Sequence, residues 1–279
     1  MRKPPKPAND KNKKIHRKRR LRARKVRRFL LFVLIITGAV IFARSSFFIV
    51  EKIDVQGNKK YTNSEIILNT GLVPGKNVFN MLGEKPKNLL AFRFQDLEQE
   101  VYQSMPYVKT VSIRPALPVT IKIKVQERVP FAVLDNKGQN LLIDREGYVL
   151  EVLDNKSEHL KNFFKITGMS FKDFKLGQAV KFEDNGSLTD LLAFCDIMLK
   201  SDKDSKVKLY SQIRSIDLSD ISGISINFEN RITVKFGDLE DADYQIGVYK
   251  YLLENKIDKK QQGTLDFTKG SNPYFVPKS

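Results

Sequence analysis

"FFIVEKIDVQGNKKYTNSEI", residues 47–66, decides the fold. It begins where Arg44 has just ended an oily run, and its pattern changes twice. Through "FIVEKIDVQG", Ile49, Glu51, Ile53 and Val55 alternate with Val50, Lys52, Asp54 and Gln56. Period two is the signature of a strand, and Gly57-Asn58 supply a turn after it. "TNSEIILNTGL" then opens a short helix. Thr62, Asn63 or Ser64 can cap it, and Gly71 stands near its C′ position. A chain that passes from an apolar run into strand, turn and helix is starting a small folded domain.

The run upstream, "FLLFVLIITGAVIFA" at residues 29–43, carries no charge. Fifteen helical residues reach only about 22 Å, against a hydrocarbon layer of about 30 Å. "RSSFFIV" adds apolar length, and Arg27, Arg28 and Arg44 can snorkel to the headgroups. The expected membrane span is therefore 29–48. A cleaved signal peptide is the rival reading, but it calls for a short basic region and a small-x-small cleavage site. Here the basic region is 28 residues long and no Ala-x-Ala follows.

Charge supports an anchor. The 279-residue chain has 49 basic and 32 acidic residues, net +17. Residues 1–28 hold fifteen of the basic residues and only Asp10 among the acids. The other 251 residues are left with 34 basic against 31 acidic, net +3. The high charge thus belongs to a basic tail, expected to be disordered for want of apolar content. So many cations on one flank place the N-terminus in the cytoplasm and the bulk of the chain outside, as a single-pass type II membrane protein. A topology signal explains them better than nucleic-acid binding.

Downstream, "VPGKNVFN" (73–80) reads as a loop and "KNLLAFRFQDLEQEVYQSMP" (87–106) as one helix that Pro106 stops. "YVKTVSIRPAL" and "PVTIKIKVQERVP" follow as strands. Strand–helix–helix–strand–strand over residues 49–129 makes a small α+β unit with both helices on one face of a three-stranded sheet. Residues 130–270 read as a second, mixed and β-rich domain. "FAVLDNKGQNLLIDREGYVLEV" gives short strands joined at Gly138 and Gly147. "SLTDLLAFCDIMLKS" gives a helix, and "GISINFENRITVKFG" a hairpin turning at Glu229-Asn230. "LEDADYQIGVYKYLLENK" is a final helix, "GTLDFTKG" a last strand, and residues 271–279 a short tail.

Chemistry is hard to find in this composition. His16 lies in the basic tail and His159 among acids and lysines. No His/Cys/carboxylate cluster has metal-ligand spacing, and no phosphate-binding glycine motif or nucleophile elbow occurs. Cys195 stands alone inside an apolar helix pattern, as a small core residue. Asp135 and Asp144 are the best carboxylates for acid–base work, yet each precedes a turn glycine, where Asp is favoured for turn hydrogen bonds. "TIKIKVQER" lacks the aromatic interleaving of a nucleic-acid platform and reads as a solvated strand. No catalytic residue, cofactor, metal, small-molecule substrate or nucleic acid is expected. The composition suits a membrane-held protein that binds other proteins, with sheet edges open to an added strand.

The basic tail, the anchor and "FFIVEKIDVQGNKKYTNSEI" together resemble the FtsQ/DivIB family of bacterial cell-division proteins. "GKNVF", "MPYVKTVSIRPALPVTIKIKVQERVPFAVL" and "LIDREGYVL" extend the resemblance, strongest to about residue 152. It implies a POTRA domain followed by a β domain. It also implies a scaffold in the divisome at the septum of the bacterial cell membrane. Its implied partners are FtsL-type and FtsB/DivIC-type single-pass proteins and, through them, the septal synthase complex. In the family the last strand and the preceding helix hold the FtsB-type partner. That points here to Thr264, Leu265, Asp266, Phe267, Tyr274 and Phe275, with Tyr244, Val248 and Tyr251 beside them. Leu265 and Phe267 alternate, so they face either the partner or the core. A POTRA-bearing transport or chaperone component, acting by strand addition, is the alternative; such proteins usually carry several POTRA units or a barrel.

Overall fold

The computed structural model describes residues 10–136, 138–220, 223–269 and 273–278. Helix α1, Asp10–Ala43, contains the anchor. Its stretch Arg22–Ala43 is the one described helix long and apolar enough to cross a membrane. The expected span 29–48 runs past the helix, because α1 ends at Ala43. Residues 44–48 instead make a turn and a 3₁₀ step, Ser46–Phe48. Upstream, residues 10–28, expected without structure, continue the helix. Lys and Arg are good helix formers, and a helix already nucleated by the apolar run extends through them at little cost. Residues 1–9 of the basic tail lie outside the described residues.

The next elements are β1 (Lys52–Gln56), α2 (Asn63–Thr70), α3 (Val78–Gly83), α4 (Pro86–Ala91), α5 (Gln95–Ser104), β2 (Val108–Ala116) and β3 (Thr120–Glu127). The three strands form a sheet in the order β1-β3-β2, with β1 parallel to β3. Two helix expectations are corrected. Residues 78–80, expected as the end of a loop, instead open the helix α3, because Asn77 Oδ1 accepts from the amides of Phe79 (3.0 Å) and Asn80 (3.1 Å), a strong N-cap. Residues 87–106 form two helices instead of one. Phe92 adopts a left-handed φ of 50°, closing α4, and the Phe94 amide donates to the Ile113 carbonyl. The core of this part takes in Ile66, Leu82, Phe94, Ile113, Ile121 and Ile123, all essentially unexposed.

The turn after β1 has two causes. Gly57 has φ 91°, and a Cβ there would run into the Val125 carbonyl oxygen. The Glu127 carboxylate accepts from the amides of Lys59 (2.7 Å), Lys60 (2.7 Å) and Tyr61 (3.1 Å). A single side chain thus takes up three turn donors that would otherwise need water.

The remaining strands are β4 (Pro130–Asn136), β5 (Gln139–Asp144), β6 (Val149–Leu153), β7 (Lys165–Thr167), β8 (Ile213–Asp217), β9 (Ile224–Phe228), β10 (Ile232–Phe236), β11 (Gly263–Asp266) and β12 (Tyr274–Pro277). The helices are α6 (His159–Asn162), α7 (Asn185–Asp202) and α8 (Ala242–Asn255). The nine strands form one sheet in the order β12-β11-β10-β9-β8-β7-β4-β5-β6. The β9–β10 hairpin turns at Glu229 and Asn230, both at positive φ, as its spacing predicts. Leu191, Phe194, Cys195 and Met198 of α7 and Ile246 and Tyr249 of α8 join Ile226, Phe228, Val234 and Phe236 in the main core. Residues 274–277, read from sequence as tail, are the edge strand β12, antiparallel to β11. By contacts the chain divides into residues 1–56, 63–98 and 112–124 on one hand and 57–62, 99–111 and 125–279 on the other.

Candidate functional site

The C-terminal residues singled out from sequence meet at the β12 end of the large sheet. Register pairs Thr264 with Val276, Leu265 with Phe275 and Asp266 with Tyr274. Paired residues share a face and neighbours along a strand alternate. Leu265 and Phe275 therefore lie on the core side, and Thr264, Asp266, Tyr274 and Val276 on the other. Leu265 is 1% exposed, and Phe267, just past β11, is 5% exposed and stacks on Phe236 at 5.9 Å. Of the two readings left open, both side chains take the core in this structure. Phe275 is half-buried on the same core. Its ring crosses Gly263, where a Cβ would stand 2.7 Å from the ring.

On the open face Tyr274 is 65% exposed and Val276 48%. Val276 was missed in the sequence because a run between two prolines reads as tail. The signal was the alternation Tyr274-x-Val276 itself. Asp266 is committed to its own turn, its Oδ1 accepting from the Thr268 amide (2.9 Å) and hydroxyl (2.6 Å). Burial opposes ionisation of Asp266, but these hydrogen bonds outweigh it and hold the carboxyl below the usual range. In α8, Tyr244, Val248 and Tyr251 fall at i, i+4 and i+7, one face of a helix. The two tyrosines are well exposed, and Val248 packs on the core. β12 pairs with β11 on one side, and no described strand lies on its other side. That open side offers backbone groups to an added strand, shortened by Pro277, which has no N–H.

A second polar constellation lies in the same compact unit. Glu151 of β6 accepts from Lys60 Nζ (2.8 Å) and the Tyr107 hydroxyl (2.8 Å), and its other oxygen is 3.1 Å from His159 Nδ1. Burial pushes the Glu151 carboxyl up, but the Lys60 and Tyr107 hydrogen bonds prevail and lower it. A carboxyl lowered in the fold stabilises it above the ordinary Glu range, about 4.3, and loses that contribution as pH falls through the lowered value. Thermal stability should therefore drop on acidification below about pH 4–5, and Glu151→Gln should flatten that drop without removing it, since Asp96, Asp135 and Glu146 are also lowered. Melting curves from pH 3 to 7 test this. An unchanged slope in the variant contradicts it.

Cys195 is fully buried, and burial pushes its thiol up to about 12, the state of a packed and unreactive side chain. Among the described residues no group of three His, Cys, Asp or Glu could hold a metal. Asp135 and Asp144, the best acid–base candidates in the sequence, both bond turn amides. Asp135 accepts from Gly138, and Asp144 from Glu146 and Tyr148.

A family model for the FtsQ-type POTRA domain matches residues 48–128. The cell division protein DivIB of Clostridium acetobutylicum is 31% identical over 232 residues, which is 82% of this chain and 83% of that protein. DivIB of Clostridium botulinum strain Hall is 26% identical over 265 residues, 93% of each chain. The cell division protein FtsQ of Bartonella bacilliformis is 21% identical over 225 residues, 70% of this chain and 65% of that one.

Proposed function

This chain belongs to the FtsQ/DivIB family of cell-division proteins, and on that premise we propose that it is a non-catalytic divisome scaffold. It holds FtsL-type and FtsB/DivIC-type single-pass proteins at the septum and connects them to the septal wall-synthesis complex. The observation that carries this reading is the surface at β12. An open strand edge with exposed Tyr274 and Val276 stands beside Thr264, in a unit that also exposes Tyr244 and Tyr251 of α8. Tyrosines present large area with few rotors and are over-represented where proteins bind strongly. An extended partner segment adds to β12, takes main-chain hydrogen bonds from the edge, and seats side chains on these tyrosines.

The anchor supports the reading from the other end. A span within Arg22–Ala43, with fifteen basic residues among residues 1–28, keeps the N-terminus cytoplasmic and puts the two folded units outside. The test is capture. The full chain in a lipid nanodisc should retain the extracytoplasmic segment of an FtsB/DivIC-type protein. Failure to retain it at tens of micromolar would contradict the reading.

A further inference from the structure

Residues 89–92 leave large apolar side chains in solvent although the core beneath them is complete. Leu90 is 89% exposed, Leu89 46% and Phe92 37%. Phe94 and Leu82, close by in sequence, are buried, so the segment already has its inward anchors. Phe92 also holds a left-handed backbone that a bulky residue adopts only under constraint. Asn88 maintains that constraint, bonding the Asp96 carboxylate and accepting from the Gln95 amide.

These residues are tied to the end of the anchor. Phe42, in the last turn of α1, meets Phe47 at 5.8 Å and Phe48 at 5.2 Å. Phe48 meets Phe79 at 5.0 Å, and Phe79 meets Phe92 at 6.1 Å. Asn77 fastens the same parts through the backbone. Its Nδ2 donates to the carbonyls of Ala43 (3.0 Å) and Ser45 (2.9 Å), while its Oδ1 caps α3. One side chain thus closes the end of the anchor and starts α3. Residues 76–93 carry Lys76, Lys85, Lys87 and Arg93 against Glu84, with Lys85 paired to Asp96 and Arg93 to Glu98 just beyond.

We propose that α3 and α4 form a foot on the bilayer, with Leu89, Leu90 and Phe92 entering the headgroup layer and Lys76 and Lys87 facing lipid phosphates. The idea rests on Arg22–Ala43 being the membrane span. Continuity decides the occupant: Phe92 is two ring contacts from Phe48, which follows the anchor directly. Amphipathic segments at this level bury their apolar side about 5–10 Å into the headgroup and acyl boundary, within reach of such a ladder. Anionic lipid then adds to the attraction through the cationic rim.

Three probes on the full chain test this. Leu90→Cys, Leu68→Cys and Ile36→Cys each receive a nitroxide; the buried Cys195 stays unlabelled. Leu68, in α2, is 83% exposed and serves as the aqueous reference. The proteins are placed in phosphatidylcholine–phosphatidylglycerol vesicles, and collisions with oxygen and with a water-soluble nickel complex are compared. The expected oxygen-to-nickel ratio at Leu90 is several-fold above that at Leu68 and approaches that at Ile36. A Leu90 ratio equal to Leu68, with Ile36 reading lipid, overturns the foot and leaves the span intact. Aqueous behaviour at Ile36 overturns the span and the foot together. A Leu90 probe shielded from both reagents means protein cover and overturns the foot. Unchanged melting of the Leu90 variant confirms that the label is tolerated.

Discussion

Tyr274→Ala weakens capture of an FtsB/DivIC-type segment by about 1–3 kcal/mol, roughly 5- to 150-fold, and leaves the melting temperature nearly unchanged. The two effects separate because Tyr274 is mostly in solvent and contributes little to the fold. Adding Tyr251→Ala deepens the loss if the α8 face belongs to the same surface. Leu265→Ala behaves in the opposite way. It removes a side chain with 1% exposure, costs about 2–5 kcal/mol of stability, and harms capture only through unfolding. Deleting residues 263–279 entire is a poorer experiment, because it takes Leu265 and Phe267 out of the core. Titration calorimetry on the nanodisc-held chain, with a parallel melt, gives both readouts. Full affinity in Tyr274→Ala would place the partner elsewhere.

Asp144→Ala should be the most damaging single substitution in the "LIDREG" turn, at about 3 kcal/mol or more. Its Oδ2 accepts from Arg128 Nη1 at 2.7 Å, and both side chains are nearly unexposed. Its Oδ1 accepts from the amides of Glu146 and Tyr148, at 2.9 Å each. The Arg128 guanidinium also lies 3.3 Å above the Tyr148 ring. Removing Asp144 strands a buried cation and two turn donors at once. Breaking one side of a buried pair usually costs about 3–5 kcal/mol. Glu146, 3.0 Å from Arg128 but half-exposed, recovers a small part. At about 2–4 °C per kcal/mol for a unit of this size, the melting temperature falls by roughly 6–12 °C. Asp144→Asn keeps the turn acceptor and loses less, and Glu146→Gln changes stability by about 1 kcal/mol at most. A melt of Asp144→Ala within about 2 °C of the parent would show that the pair contributes little.

Much of the fold was legible because local signals agreed with the global pairing. The β9–β10 hairpin was readable from Ile224, Ile226 and Phe228 alternating up to Glu229-Asn230 and resuming at Ile232. The break at Phe92 was not, because its cause is the distant carbonyl of Ile113 and the side chain of Asn88 rather than any local breaker. β12 was hidden for a similar reason. Four residues between prolines have no strand signal of their own, and β11 supplies the pairing. At the candidate surface, period two showed that Leu265 and Phe267 share a face, but not which face. The neighbours Phe236 and Phe275 decide that. Asp144 was readable as a turn residue, while Arg128, sixteen positions earlier, becomes its partner only through the fold.

The central claim is that this chain assembles other proteins at the division site, and localisation tests it most directly. A fluorescent fusion to the N-terminus of the full chain, followed through the cell cycle, should concentrate at midcell before constriction and stay until septation. The Tyr274→Ala fusion should still reach midcell while carrying less of the FtsB/DivIC-type protein with it. A uniform signal around the envelope in dividing cells, from a fusion that is intact and inserted, would contradict the account.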